Sequence, residues 1–206
     1  MNKDHVQSIL LNELKFNKVA IGKLEIFHKE LLDYNKNYNL IADSTIHDIW
    51  NRHILDSAQI VKYIDFSGKK SLSDLGSGAG LPGMIIAIFN TNPTFHVKLY
   101  EKSRVKCDFL LLIKNKLKIS CDIYSNDYQF HNINADYITC RAFKKLAEVM
   151  RISREIVRVN HKLIILKGKN AKNEINSLQT KCIHRYNLEN SITDKESRII
   201  IVDAKN

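Results

Sequence analysis

Positions three and four residues apart repeat a helical spacing from about residue 3 to residue 64, as at Leu24, Phe27 and Leu31 and again at Ile49, His53, Leu55 and Ala58. This predicts a helical preamble. The asparagine-rich stretch 35–43 should break one helix from the next, with Ser44 or Thr45 as the N-cap of the second. After Gly68 the texture changes to short β-rich runs separated by helical periods. Strands are predicted over 71–75, 95–101, 119–125, 135–140, 161–167, 182–188 and 198–203, and helices over 81–89, 103–117, 145–159 and 170–180. Strands alternating with helices build right-handed βαβ units, so the expected class is α/β: a mostly parallel seven-stranded, Rossmann-like sheet covered on both faces. The last two strands lack a helix between them and should form an antiparallel hairpin at an edge. The expected division is a helical extension over 1–66 and one compact catalytic unit over 67–206.

A chain of 206 residues that is 44% hydrophobic can bury one substantial core, but a second full catalytic domain would hardly fit. No run of 18 or more apolar residues occurs, and residues 1–5 carry no signal-like apolar core, which places the expected protein in the cytoplasm. Cys107, Cys121, Cys140 and Cys182 are widely spaced, without a C-x-x-C pair or a histidine at zinc-ligand distance. They read as four reduced thiols, and no metal is expected. The formal charge of +10 suits a polyanionic partner such as nucleic acid, although the abundance of lysine, asparagine and isoleucine would follow equally from AT-rich coding DNA.

The segment 74–83, Asp-Leu-Gly-Ser-Gly-Ala-Gly-Leu-Pro-Gly, leaves the first strand and enters the first sheet helix. Glycines there let the backbone turn tightly and approach a ligand, and Pro82 suits a first helical turn. Gly78, Gly80 and Gly83 alone satisfy the dinucleotide fingerprint G-x-G-x-x-G, which leaves a nucleotide-binding oxidoreductase open. The longer pattern through Asp74, Gly76, Gly78 and Gly80 favours S-adenosylmethionine instead. A carboxylate at Asp74 repels a pyrophosphate and can hold the cofactor's ammonium end, directly or through water. Glu101, at the end of the second strand, can accept both ribose hydroxyls, and Asp127 with Tyr128, past the third strand, can meet the adenine.

Methyl transfer from a sulfonium requires mainly that a nucleophile be oriented in line. The chain has only Pro82 and Pro93, so it lacks both the Pro-Cys pair of pyrimidine C5 methylation and the Asn-Pro-Pro-aromatic turn of amine methylation. Its fourth strand ends in Thr139-Cys140-Arg141-Ala142-Phe143. A ring nitrogen with a free lone pair, such as guanine N7, needs no protein base, and an arginine there could orient the base through O6 or hold a phosphate. Arg141 is therefore the expected catalytic and cofactor-contacting residue, Cys140 an apolar filler, and His53 a packing or capping residue of the preamble.

Asn39-Leu40, Arg52-His53-Ile54-Leu55-Asp56-Ser57, the loop 74–83, Arg141-Ala142-Phe143 and Leu166-Lys167-Gly168 together resemble the bacterial 16S rRNA guanine-N7 methyltransferase family, also called glucose-inhibited division protein B. The resemblance runs in order from about Asn35 to Asp203. It implies a Rossmann-like class I methyltransferase fold with an N-terminal helical extension, S-adenosylmethionine as donor, and N7 of a guanine in 16S rRNA as acceptor. By matching position it implies cofactor contacts at Gly76, Leu81, Asp127, Tyr128 and Arg141. The chain departs from the family in Cys140, commonly serine, and in Glu101-Lys102-Ser103, usually Asp-Ser. Lys36, Arg52, Arg141, Lys145, Lys167 and Lys169 are expected at the cleft mouth as RNA-binding cations, on a monomer. A non-catalytic RNA-binding protein of the same fold is the remaining alternative.

Overall fold

The computed structural model describes residues 1–126, 128–157, 159–177 and 186–204. Asp127, Cys182 and the first half of the expected strand 182–188 lie outside the described residues. The preamble opens with α1 (Lys3–Asn12) and α2 (Lys18–Asn35), each N-capped by an asparagine whose side chain accepts a backbone N–H of the first turn. Asn35 ends α2 and turns the chain: its buried Oδ1 accepts the N–H groups of both Leu40 and Ile41, at 2.8 and 3.0 Å.

The second half of the preamble is not a regular α-helix. It runs as a 3₁₀ turn (Asp43–Asp48), a π turn (Trp50–Leu55), one α-helical turn α3 (Asp56–Ala58) and a second 3₁₀ turn (Gln59–Tyr63). The expected cap at Ser44 or Thr45 is corrected: Ala42 flanks the first turn without a side-chain cap, and the Thr45 hydroxyl donates to Ala42 O at 2.7 Å. A π turn widens the helix by one residue per hydrogen bond and re-aims the side chains that follow it. Here those side chains are Arg52, His53 and Asp56.

The sheet comprises β1 (Ser71–Leu75), β2 (His96–Tyr100), β3 (Asp122–Tyr124), β4 (Tyr137–Arg141), β5 (His161–Lys167), β6 (Tyr186–Asn190) and β7 (Arg198–Ala204). Its order is β3-β2-β1-β4-β5-β7-β6, parallel except where β7 runs antiparallel to both β5 and β6. The expected antiparallel hairpin edge is therefore present. A dinucleotide-binding sheet keeps the order 3-2-1-4-5-6 with all strands parallel, so the inserted β7 separates this fold from that one. The connecting helices are α4 (Gly83–Phe89), α5 (Arg104–Leu117), α6 (Leu146–Ile156) and α7 (Ala171–Ser177).

Alternation along the strands divides the core into two layers. Ile164, Leu166, Ile199 and Ile201 face one layer with α1, α2, the 43–63 run and α4, whereas Leu163, Ile165, Ile200 and Val202 face the other with α6 and α7. Residues 1–66 thus share one apolar layer with the sheet. No helix of the described residues is long and apolar enough to cross a membrane.

Candidate functional site

The loop between β1 and α4 is fixed from three directions. Its first turn hangs on β2, with the Gly76 and Ser77 N–H groups both donating to Tyr100 O at 2.9 and 3.0 Å. Gly76 has φ +69, and a Cβ on it would stand 2.4 Å from the Phe143 ring, so the residue is required both by conformation and by the aromatic laid on it. Gly83 is required by contact alone: a Cβ there would meet Leu99 at 2.2 Å and the Asp74 carboxylate at 2.6 Å, because α4 starts directly against the sheet. A Cβ on Gly78 would meet only Gly76 O, at 3.9 Å, so that position opens into a cavity instead of into protein.

That cavity, about 330 Å³, lies at the carboxyl ends of β1, β2 and β4 and is lined by Gly76, Gly78, Glu101, Tyr128, Ala142 and Phe143 among others. Glu101 is 7% exposed; its Oε2 accepts the Gly78 N–H at 2.9 Å and its Oε1 the Ser103 N–H at 2.8 Å. The carboxylate is thereby aimed along the strand end at the rim of the glycine loop. Tyr128 sets its ring edge-on to Phe143 at 5.4 Å and closes the apolar side. A carboxylate at one end, an aromatic wall opposite and an open glycine between them fit a nucleoside group.

Four of the nine cofactor residues expected from sequence, Gly76, Gly78, Glu101 and Tyr128, line this cavity. Asp127 lies outside the described residues. Gly80 and Leu81 face inward: a Cβ on Gly80 would stand 2.7 Å from Met84, and Leu81 is 5% exposed. Asp74, expected to hold the cofactor's ammonium end, does not line this cavity. It is fully buried, its Oδ2 accepts the Gly83 N–H at 3.0 Å, and its Oδ1 has no partner among the described residues. Burial pushes its carboxyl up to about 7, against which the Gly83 N–H and the Ser77 hydroxyl pull downward. Asp74 therefore ties the loop to the start of α4 from beneath.

Arg141 lies at the end of β4, beside the preamble. Its guanidinium turns away from the glycine-loop cavity and is held by the preamble: Nη1 donates to Arg52 O at 2.9 Å and to Asp56 Oδ2 at 3.0 Å, and Nη2 meets His53 Nδ1 at 2.7 Å. The His53 Nε2 lies 2.7 Å from Thr45 Oγ1. Burial, followed by the charges of Arg141 and Arg52, holds His53 far below the ordinary imidazole range, at about 3. A neutral ring accepts from Arg141 at Nδ1 and donates from Nε2 to Thr45, which passes the chain on to Ala42 O. Asp56 in turn accepts from Thr193 Oγ1 at 2.8 Å and Gln59 Nε2 at 2.9 Å with its other oxygen. Sequence reasoning left His53 in the preamble and did not single out Asp56 or Gln59 for a role; the two-residue step from Arg-His to Asp-Ser was the available signal.

The expected RNA-binding cations divide. Arg52 pairs with Asp194 at 3.2 Å, and Lys36 with Asp33 at 2.8 Å. Lys167 is corrected as an open cation: its ammonium is mostly buried, paired with Glu174 at 2.8 Å and bonded to Lys144 O. Lys145 and Lys169 are exposed and make no ion pair among the described residues. Cys140 is 1% exposed, and burial pushes its thiol up to about 12, which favours the neutral thiol over the thiolate and fits the expected apolar filler.

Comparison with known proteins places these features in a family. Residues 20–201 match the family model described as rRNA small subunit methyltransferase G. The ribosomal RNA small subunit methyltransferase G of Rickettsia rickettsii (strain Sheila Smith) is 38% identical over 182 residues, covering 88% of this chain and 93% of that one. Its Rickettsia akari (strain Hartford) counterpart is 36% identical over 189 residues, covering 92% and 96%. Among solved structures, a putative S-adenosyl-L-methionine-dependent methyltransferase from Methanococcus maripaludis superposes with TM-score 0.59 at 17% identity, over 87% of this chain and 92% of that one. Aeropyrum pernix fibrillarin, solved with natively bound S-adenosyl-L-methionine, gives 0.54 at 14% identity over 68% of each chain. The two solved structures share the fold, and by the match over 20–201 and its close relatives the chain belongs to the rRNA small subunit methyltransferase G family.

Proposed function

We propose that this protein transfers a methyl group from S-adenosylmethionine to N7 of a guanine in 16S ribosomal RNA, as a cytoplasmic monomer acting on the RNA or the small ribosomal subunit. The observation that carries the reading is the family match over 20–201, to which the glycine-loop cavity adds a physical fit. Glu101 would accept the ribose hydroxyls, Tyr128 and Phe143 would cover the adenine, and Gly78 would leave room for the backbone to approach. S-adenosylmethionine supplies an electrophilic methyl group carried on a sulfonium. Guanine N7 attacks with its own lone pair and carries no proton to be removed. The chain's part is therefore positioning, and no side chain has to act as a base. This agrees with His53, which is hydrogen-bonded at both ring nitrogens, and with Cys140, whose burial favours the neutral thiol.

The test is a labelled-methyl assay with purified protein on naked small-subunit RNA, an assembly intermediate and the mature subunit, with large-subunit RNA as control. Label confined to small-subunit RNA, at a guanine that becomes cleavable after borohydride and aniline, is the expected result. Label in large-subunit RNA, or cofactor bound without any transfer, would overturn it.

A further inference from the structure

The short 3₁₀ turn Tyr128–Phe130 sends its two aromatic residues in different directions. Tyr128 is buried, with its ring edge-on to Phe143 at 5.4 Å, where it closes the apolar wall of the glycine-loop cavity. Phe130 is 81% exposed, the most exposed large apolar side chain among the described residues, and does not line that cavity. With about three residues per turn, positions two apart diverge, so burying Tyr128 turns Phe130 outward. The turn is held on its other side as well. The His131 N–H donates to Tyr128 O at 3.1 Å, and the His131 ring sits edge-on to Tyr100 at 5.2 Å and to Tyr124 at 5.0 Å. Packing on both sides therefore fixes the turn that presents the Phe130 ring to solvent, one residue beyond the cavity-lining Gln129.

The cavity rim beside this ring is cationic. Lys102 and Lys106 line it and make no ion pair among the described residues, whereas Lys144, also in the lining, pairs with Glu148. S-adenosylmethionine carries a sulfonium, an ammonium and one carboxylate, a net positive charge, so two open lysines at the mouth of its cavity suit a different, anionic ligand. Lys106 also stands in the first turn of α5, where the helix dipole disfavours a cation, so fold stability does not account for it. Guanine N7 faces the major groove, which in an A-form RNA helix is too deep and narrow for side chains to read. The acceptor must therefore lie in an unpaired or extruded stretch, and taking it out of the stack strips its neighbour of a stacking partner. A phenyl ring replaces that partner, and lysines beside it neutralise phosphates of the same stretch.

We propose that Phe130 is the stacking platform for an unpaired base next to the acceptor guanine, and that Lys102 and Lys106 hold the phosphates of that stretch. The proposal rests on the RNA methyltransferase reading above and adds a surface with named residues to it. The test is a substitution series in the full-length protein, with KM and kcat measured on the small-subunit substrate that accepts methyl. Phe130→Ala and Phe130→Leu should each raise the KM for RNA about tenfold with kcat within about twofold of wild type, whereas Phe130→Tyr should keep the wild-type KM, because stacking needs an aromatic face and not merely an apolar one. S-adenosylhomocysteine affinity, measured by calorimetry, should stay within about twofold in all three. Lys102→Ala and Lys106→Ala should each lower the slope of log RNA affinity against log salt by about one. Val19→Ala trims another apolar side chain, 70% exposed on α2, and should leave every readout unchanged. A wild-type KM in Phe130→Leu would overturn the proposal, and so would a loss of S-adenosylhomocysteine affinity in Phe130→Ala, which would make the ring a cover for the cofactor. Both results leave methyl transfer to small-subunit RNA standing; wild-type protein that transfers no methyl to that RNA would instead remove the function itself.

Discussion

Two residues gain meaning between the sequence and the fold. Asp74 occupies the position where an anion toward the cofactor was expected, yet it is buried with its carboxyl raised to about 7. Between the ordinary value of 3.8 and 7 the unfolded chain releases this proton while the folded protein keeps it. Folding stability from this group therefore falls as pH rises through that window, by up to about 4 kcal/mol. Asp74→Asn removes the ionisation and keeps an oxygen for the Gly83 N–H. The variant should gain stability relative to wild type from pH 4 to pH 7, as urea midpoints at each pH will show; a pH-independent difference would mean that Asp74 is charged throughout. His53 packs within the preamble as expected, bonded to Thr45, and also holds Arg141. His53→Gln preserves an acceptor for Arg141, whereas His53→Phe leaves Arg141 Nη2 without its acceptor and takes away the N–H that Thr45 accepts, at a cost of about 1–3 kcal/mol. Urea unfolding should rank wild type and His53→Gln together, well above His53→Phe, and equal losses in both variants would deny the hydrogen-bonded role.

At the scale of elements, the alternation of strands and helices was legible because each strand is short, buried and bounded by turn residues, and because period 2 and period 3.6 are easily told apart. The edge hairpin followed from the missing helix before 198–203. What could not be read is the form of the 43–63 run: its apolar positions at 49, 53, 55 and 58 repeat a helical spacing, but that spacing does not tell an α-helix from the 3₁₀ and π turns that the chain adopts there. The glycine loop was legible as a loop, with its close approaches hidden. The requirement at Gly83 comes from Leu99 and Asp74, which are brought together only by the β1–β2 pairing. Gly83→Ala inserts a Cβ that would stand 2.2 Å from Leu99 and should cost roughly 1–3 kcal/mol through overpacking, measured as a fall in unfolding midpoint. An unchanged midpoint would mean that α4 can move off the sheet freely. Likewise the Arg141–Asp56 pair joins segments 85 residues apart, a proximity that no spacing rule reveals.

For the whole molecule, the +10 charge suggested RNA binding without showing where it acts. The fold narrows the choice: Lys167 and Arg141 are committed to buried or half-buried carboxylates, and Lys36 to its neighbour on α2, whereas Lys145 and Lys169 remain open. Lys145→Ala and Lys169→Ala should each weaken RNA binding and lower the slope of log affinity against log salt by about one, while Lys36→Ala should change neither. Equal slopes in all three would return the charge to composition alone.

The central claim, transfer to a lone-pair nitrogen of guanine by positioning alone, is tested most directly by replacing that nitrogen. Small-subunit RNA carrying 7-deazaguanosine at the methylated position should bind the protein with unchanged affinity and accept no methyl group in a single-turnover assay. The matching guanosine RNA should react at a rate that is nearly flat from about pH 6 to 9, where a histidine or cysteine base would titrate. Methylation of the 7-deaza RNA would place the methyl group on another atom and contradict the account.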